Sequence, residues 1–145
     1  MKACAFFGSS KGNYNDLKER MRAEICRLIE REGVSQFYSG GRGNFDLLCA
    51  TIVGELKERF PQIKNTLVFS YLPQETYELP AIYTDTVYLL ERKVPPRYAI
   101  LETNKKIVEK SDIIFTATRQ SYGGARKARE YAEQKGKRII EAKSL

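Results

Sequence analysis

The sequence predicts an α/β fold: a single doubly wound, mostly parallel sheet with helices on both faces. Three observations predict it. Short apolar runs alternate with segments of helical period almost from end to end. The chain has 145 residues, which suits one domain over 1–145. Polar, glycine-bearing loops fall where strands hand over to helices, the place where open sheets of this kind bind ligands.

The elements follow in order. KACAFF at 2–7 is an apolar run ending at Gly8, a buried-strand signal. GSSKGNYN is a polar loop. Leu17, Met21, Ile25, Leu28 and Ile29 recur at helical spacing over 14–32, and Gly33 ends that helix. SQFYS at 35–39 is the second strand. FDLLCATIVGELKERF at 45–60 is the second helix, stopped by Pro61. NTLVFSYL at 65–72 is the third strand, and 73–83 is a long Pro-punctuated loop with room for one helical turn. TDTVYLLE at 84–91 is a fourth strand. A helix over 97–110 carries Ile100, Leu101, Ile107 and Val108 on one side. DIIFTAT at 112–118, a helix over 124–135 and KRIIEA at 137–142 complete the pattern. The loops at strand carboxyl ends are 8–13, 39–44, 71–76 and 118–124.

Composition narrows the chemistry. Hydrophobic residues make up 42% and charged residues 30%, a globular balance. No apolar run approaches the ~20 residues that span a bilayer, and the first residues are too short for a signal peptide's apolar region. A cytoplasmic, membrane-free protein is expected. There is no histidine, which removes the commonest general base and every Ser-His or Cys-His pair. Cys4, Cys26 and Cys49 lack the close spacing of metal ligands, so no metal site is expected. The net charge is +7, and residues 97–145 carry 12 basic against 6 acidic side chains. An anionic partner fits this excess, as do solvated helix faces.

Three glycine-bearing stretches carry the functional argument. Ser39, Gly40, Gly41, Arg42 and Gly43 precede a helix whose first amides lack partners. Those amides and the helix dipole favour a phosphate, and Arg42 adds a charged donor. A tight turn with Asn44 as N-cap explains the same residues without a ligand. The stretch is neither GxGxxG nor a P-loop, because Asp46 stands in the third glycine's place and no GK[ST] follows. Tyr122, Gly123 and Gly124 form a second junction of the same kind. Gly8, Ser9, Ser10 and Lys11 would line a shared crevice from the first strand. Asp46, in a first helical turn, would repel an adjacent phosphate; a ribose hydroxyl or a bridging cation suits it better. Asn104 shares a face with Ile100, Ile107 and Val108, so its amide needs a hydrogen bond, either to a neighbouring loop's backbone or to a ligand or the glycine loop.

SGGRGNFDLLCATIVGELKERFPQIK resembles the SGGALG-D--AAE loop and helix of the DprA–LOG (SLOG) superfamily of Rossmann-like proteins, above all its YpsA-like branch. TNKKIVEKSDIIFTAT resembles that branch's RN--MVD-SD segment, and YGGARKAREYAEQKGKRI its GGT----YA---GK-I ending. The resemblance spans nearly the whole chain. It implies a Rossmann-like bacterial protein with a crevice for a nucleotide or ADP-ribose-like ligand, held by Gly40, Gly41, Gly43, Asp46, Asn104, Gly123 and Gly124. The LOG branch cleaves the N-glycosidic bond of nucleoside 5′-monophosphates with an Arg-Lys pair and a PGGxGTxxE loop. Here Thr103-Asn104 takes the pair's place and Tyr122-Gly123-Gly124-Ala125 replaces the loop; the catalytic glutamate has no clear counterpart. The TGHR-like motif of the first strand is replaced by Phe7-Gly8-Ser9-Ser10.

Three functions are therefore weighed: binding or sensing a nucleotide-derived ligand without turnover, LOG-like hydrolysis, and DprA-like single-stranded nucleic-acid binding. The second lacks an evident acid/base pair. Glu55 lies ~13 Å along the helix from Asp46, and Glu130 lies too far along the chain to be assigned. For the third, Tyr71 or Tyr122 could stack bases, but no aromatic-basic interleaving stands out. A homo-oligomer is compatible with all three.

Overall fold

A computed structural model describes residues 1–9, 11–73, 77–118 and 123–145. Six strands form one sheet: β1 (Lys2–Gly8), β2 (Val34–Ser39), β3 (Lys64–Phe69), β4 (Asp85–Tyr88), β5 (Ile113–Ala117) and β6 (Arg138–Glu141). Their order is β4-β3-β2-β1-β5-β6, and every pairing is parallel. The helices are α1 (Lys18–Glu32), α2 (Asn44–Leu56), α3 (Pro96–Lys110) and α4 (Gly124–Gln134). The doubly wound sheet expected from the sequence is thus found, wholly rather than mostly parallel.

The pleat assigns the layers. Cys4 and Phe6 of β1, with Ile113 and Phe115 of β5, pack against α1 and α2. Ala5, Phe7 and Ile114 point the other way, against α3 and α4. This two-sided burial is why β1 and β5 read as continuous apolar runs rather than alternating ones. Aromatic rings bind the first layer: Phe6 stacks on Phe37 at 5.8 Å and meets Phe115 edge-on at 5.7 Å.

Several boundaries differ from expectation. A single 3-10 turn (Asn15–Leu17) precedes α1, which begins at Lys18. Gly33 ends α1 with φ 71°, the left-handed conformation that glycine adopts without strain. Regular α2 stops at Leu56; the Phe60 amide still bonds the Leu56 carbonyl at 2.9 Å, one turn before Pro61. Strand β4 is four residues long and lies at a sheet edge. Among the described residues of 73–83 there is no helix. Ile100 is not on the buried face of α3; that face is built by Ala99, Thr103, Asn104, Ile107 and Val108.

Polar contacts lock the ends of strands. The Asp112 carboxylate accepts the Ala3 N–H at 2.9 Å while the Asp112 N–H bonds the Ala3 carbonyl, pinning β5 to β1. At the amino ends of the strands, Glu32 pairs with Arg138, with Arg27 at 2.9 Å and with Lys2 at 3.3 Å. Its hydrogen bond from Arg138, with the further donors, holds its pKa down at about 2. A depressed carboxylate pKa contributes stability above the unfolded value of ~4.5, lost as pH falls toward 2. Glu32→Gln is therefore expected to melt below the parent at neutral pH, with the gap closing as the pH is lowered through that window. Thermal melts of both proteins across pH 2–7 measure this.

Among the described residues no helix is long and apolar enough to cross a membrane.

Candidate functional site

The carboxyl ends of β1, β2 and β5 are neighbours, and at β1 the chain reverses its direction across the sheet. Such a switch point leaves a crevice between the loops that depart to opposite faces. Here it is a cavity of about 220 Å³. Gly8 and Ser9 line it from β1, Gly40, Arg42, Gly43 and Asp46 from the β2–α2 junction, Ile100 and Asn104 from α3, and Gly124 and Ala125 from α4. Described residues of all three glycine-bearing stretches therefore line one cavity.

The glycines there have different causes. A Cβ on Gly8 would stand 2.3 Å from Phe45 Cγ, so the close approach is by the chain's own buried ring. Gly41 has φ 66°, and a Cβ there would meet Leu67 Cδ1 at 2.6 Å. Gly123, the N-cap of α4, has φ 89° and open space around it.

Arg42 spans the crevice. Its Nη1 donates to Ser70 Oγ at 2.8 Å and its Nη2 to Asn104 Oδ1 at 3.5 Å. Both acceptors are neutral, and the guanidinium also acts on the Asp46 carboxylate. The Asn104 amide group thus has its hydrogen bond from a glycine-loop side chain. Its Nδ2 faces α4, 3.8 Å from where a Gly124 Cβ would stand.

Asp46 places a carboxylate beside the glycine loop. Its carboxylate lies beside the backbone N–H groups of Arg42 and Gly40, which favour its charged form. An internal anion thus sits against the loop that precedes α2. Burial pushes the Asp46 pKa up to about 6, against the opposing pull of the Arg42 guanidinium and the two N–H groups. The start of α4 is different. It has no side-chain cap and no acidic residue in its first turn, so its amides are those that favour an anion.

Other candidates lie off the cavity. Gly43, not Asn44, is the N-cap of α2, in extended backbone. Asn44 instead donates its side-chain N–H to the Gly12 carbonyl at 3.0 Å, because it is already the first helical residue. With Lys11, Tyr14, Leu47, Leu48 and Thr51, Asn44 lines a separate groove of about 550 Å³. Lys11, expected in the crevice, belongs to that groove. Ser39 is buried at the end of β2, where its Oγ approaches the Tyr83 hydroxyl without a well-directed hydrogen bond. Gly41 faces Leu67 and Tyr83. Ser10 and Tyr122 lie outside the described residues. Glu55 is engaged with Arg22 at 2.5 Å and Glu130 with Arg126 at 3.3 Å. Asp46 is the one carboxylate lining the cavity among the described residues.

Sequence reasoning missed Ser70 and Tyr83. Ser70 carried a usable signal: it follows the last residue of a strand, at the ligand end of the sheet.

No protein-family model matches the sequence, and no curated protein matches it. Solved structures do match in shape. One is DNA processing protein A from Streptococcus pneumoniae, with TM-score 0.68 and 14% identity, covering 96% of this chain and 49% of that one. Another is DNA processing protein A from Helicobacter pylori, with TM-score 0.67 and 12% identity, covering 99% of this chain and 70% of that one. The chain shares its fold with DNA processing protein A. It spans about half the length of the pneumococcal DNA processing protein A. The Rossmann-like fold implied by the DprA–LOG resemblance is the fold found.

Proposed function

We propose that the crevice binds a nucleotide-derived ligand, as in the YpsA-like branch, and does so without N-glycosidic hydrolysis. The observation that carries this reading is Arg42: a guanidinium held by two neutral side chains across a cavity lined from three glycine-bearing loops. A phosphate against the first turn of α4 would meet free amides, the Asn104 NH₂ group and Arg42 together. The absence of hydrolysis rests on chemistry. The Arg-Lys pair and glutamate-bearing loop of the LOG branch have no counterpart in the sequence, and Asp46 is the one carboxylate among the described cavity residues.

A thermal-shift screen with AMP, ADP-ribose, NAD and cyclic nucleotides tests the reading. A ligand at ~100 times its Kd is expected to raise the midpoint by about 5–10 °C for a chain of this size. Arg42→Gln is expected to weaken binding ~10- to 100-fold, the usual loss for a charge-assisted contact. Release of free base from AMP or CMP would overturn the non-hydrolytic part.

A second reading has one observation in its favour. The Helicobacter pylori DNA processing protein A binds single-stranded DNA, and this chain combines the same fold with a net charge of +7. Oligonucleotide retention that weakens with salt, with no midpoint shift from any nucleotide, would favour it.

A further inference from the structure

We propose that Asp46 makes the crevice selective for ribose: its carboxylate accepts both hydroxyls of a ribose diol while the ligand's phosphate lies toward α4. The inference rests on the nucleotide-binding reading above and names the kind of nucleotide.

An ionised carboxylate offers about four lone-pair sites. The neighbouring Gly40 and Arg42 N–H groups draw on part of that capacity. Asp46 also lines the cavity, so the remaining acceptor capacity is available on that side. Whatever enters this end must donate hydrogen bonds and carry no negative charge. A phosphate is therefore driven to the other wall, where Gly124 begins a helix without an acidic first turn.

Cavity size decides which donor reaches Asp46. A volume of about 220 Å³ falls below the ~300–1,000 Å³ that encloses a whole small-molecule ligand. It holds a phosphate and the group bonded next to it. In a nucleoside 5′-phosphate that group is the sugar, and the base lies beyond it. The one pair of adjacent hydrogen-bond donors on the sugar is the 2′,3′-diol. The groups facing Asp46 leave this role to it: Arg42 is its cationic neighbour, while Tyr14, Tyr83 and Cys49 stay protonated, each with its pKa raised chiefly by burial.

The test is calorimetric titration of the wild-type chain with AMP, 2′-deoxy-AMP and 3′-deoxy-AMP. Each deoxy compound is expected to bind at least ~10-fold more weakly, the usual loss for a hydrogen bond to a charged group. In Asp46→Asn, checked by melting to be folded, the three are expected to agree within ~3-fold, because an amide has lost one acceptor oxygen. Equal binding of all three to the wild-type chain overturns the ribose assignment and leaves nucleotide binding standing. Discrimination that persists in Asp46→Asn also overturns it. No binding of AMP, together with a flat screen, overturns the nucleotide reading itself.

Discussion

Replacing Phe45 with alanine is expected to lower the unfolding free energy by about 3–5 kcal/mol, the range for deleting a fully buried aromatic ring. Phe45 is 0% exposed. Its ring meets Tyr14 edge-on at 5.1 Å and lies 6.3 Å from Phe115. It also covers Gly8, whose missing side chain is what lets the ring approach β1. The same packing sets the direction of the first turn of α2, and with it Asp46 and the glycine loop. Gly8→Ala is accordingly expected to overpack the same point, at about 1–3 kcal/mol. The double variant should lose less than the sum, since the added methyl enters space that the ring vacated. Urea unfolding of the four proteins measures this coupling. Strict additivity would mean that Gly8 and Phe45 do not constrain each other.

The second large effect is on the pH dependence of stability. The Asp46 pKa rises from 3.8 to about 6 on folding, because burial removes part of the water around the carboxylate. Between those values the folded chain retains a proton that the unfolded chain releases. Stability from this group therefore falls as pH rises through ~4–6, and above that window the ionised carboxylate disfavours the fold. At about 1.4 kcal/mol per pKa unit the penalty reaches about 3 kcal/mol at most. Asp46→Asn should remove it, leaving a variant about 1–2 kcal/mol more stable near neutral pH and little changed near pH 4. Paired urea titrations at the two pH values read the difference. A variant less stable than wild type at both would show that the amide contacts outweigh burial. A residue that disfavours the fold while it lines the cavity fits a binding role better than a structural one.

Particular residues show how far the sequence could be read. The strands were visible because β1 and β5 are buried on both faces, which leaves an unbroken apolar run. Boundaries slipped where local signals compete. Asn44 has the chemistry of an N-cap, yet Gly43 takes that position and frees Asn44 to reach Gly12. Ile100 has helical spacing with the buried residues of α3 but faces the crevice, since the rotation of a helix about its axis is set by its neighbours.

The chain by itself determined the alternation of strands and helices, the placement of glycines at three strand ends and the lack of histidine chemistry. These are local properties, legible in side-chain period and residue type. Only the tertiary structure decided that Asp46 lies beside the amides of Gly40 and Arg42, that Gly8 yields its space to Phe45, and that Arg42 reaches Ser70 and Asn104. Those outcomes depend on which groups, 28 to 62 residues apart in the case of Arg42, are brought within ångströms by the winding of the sheet.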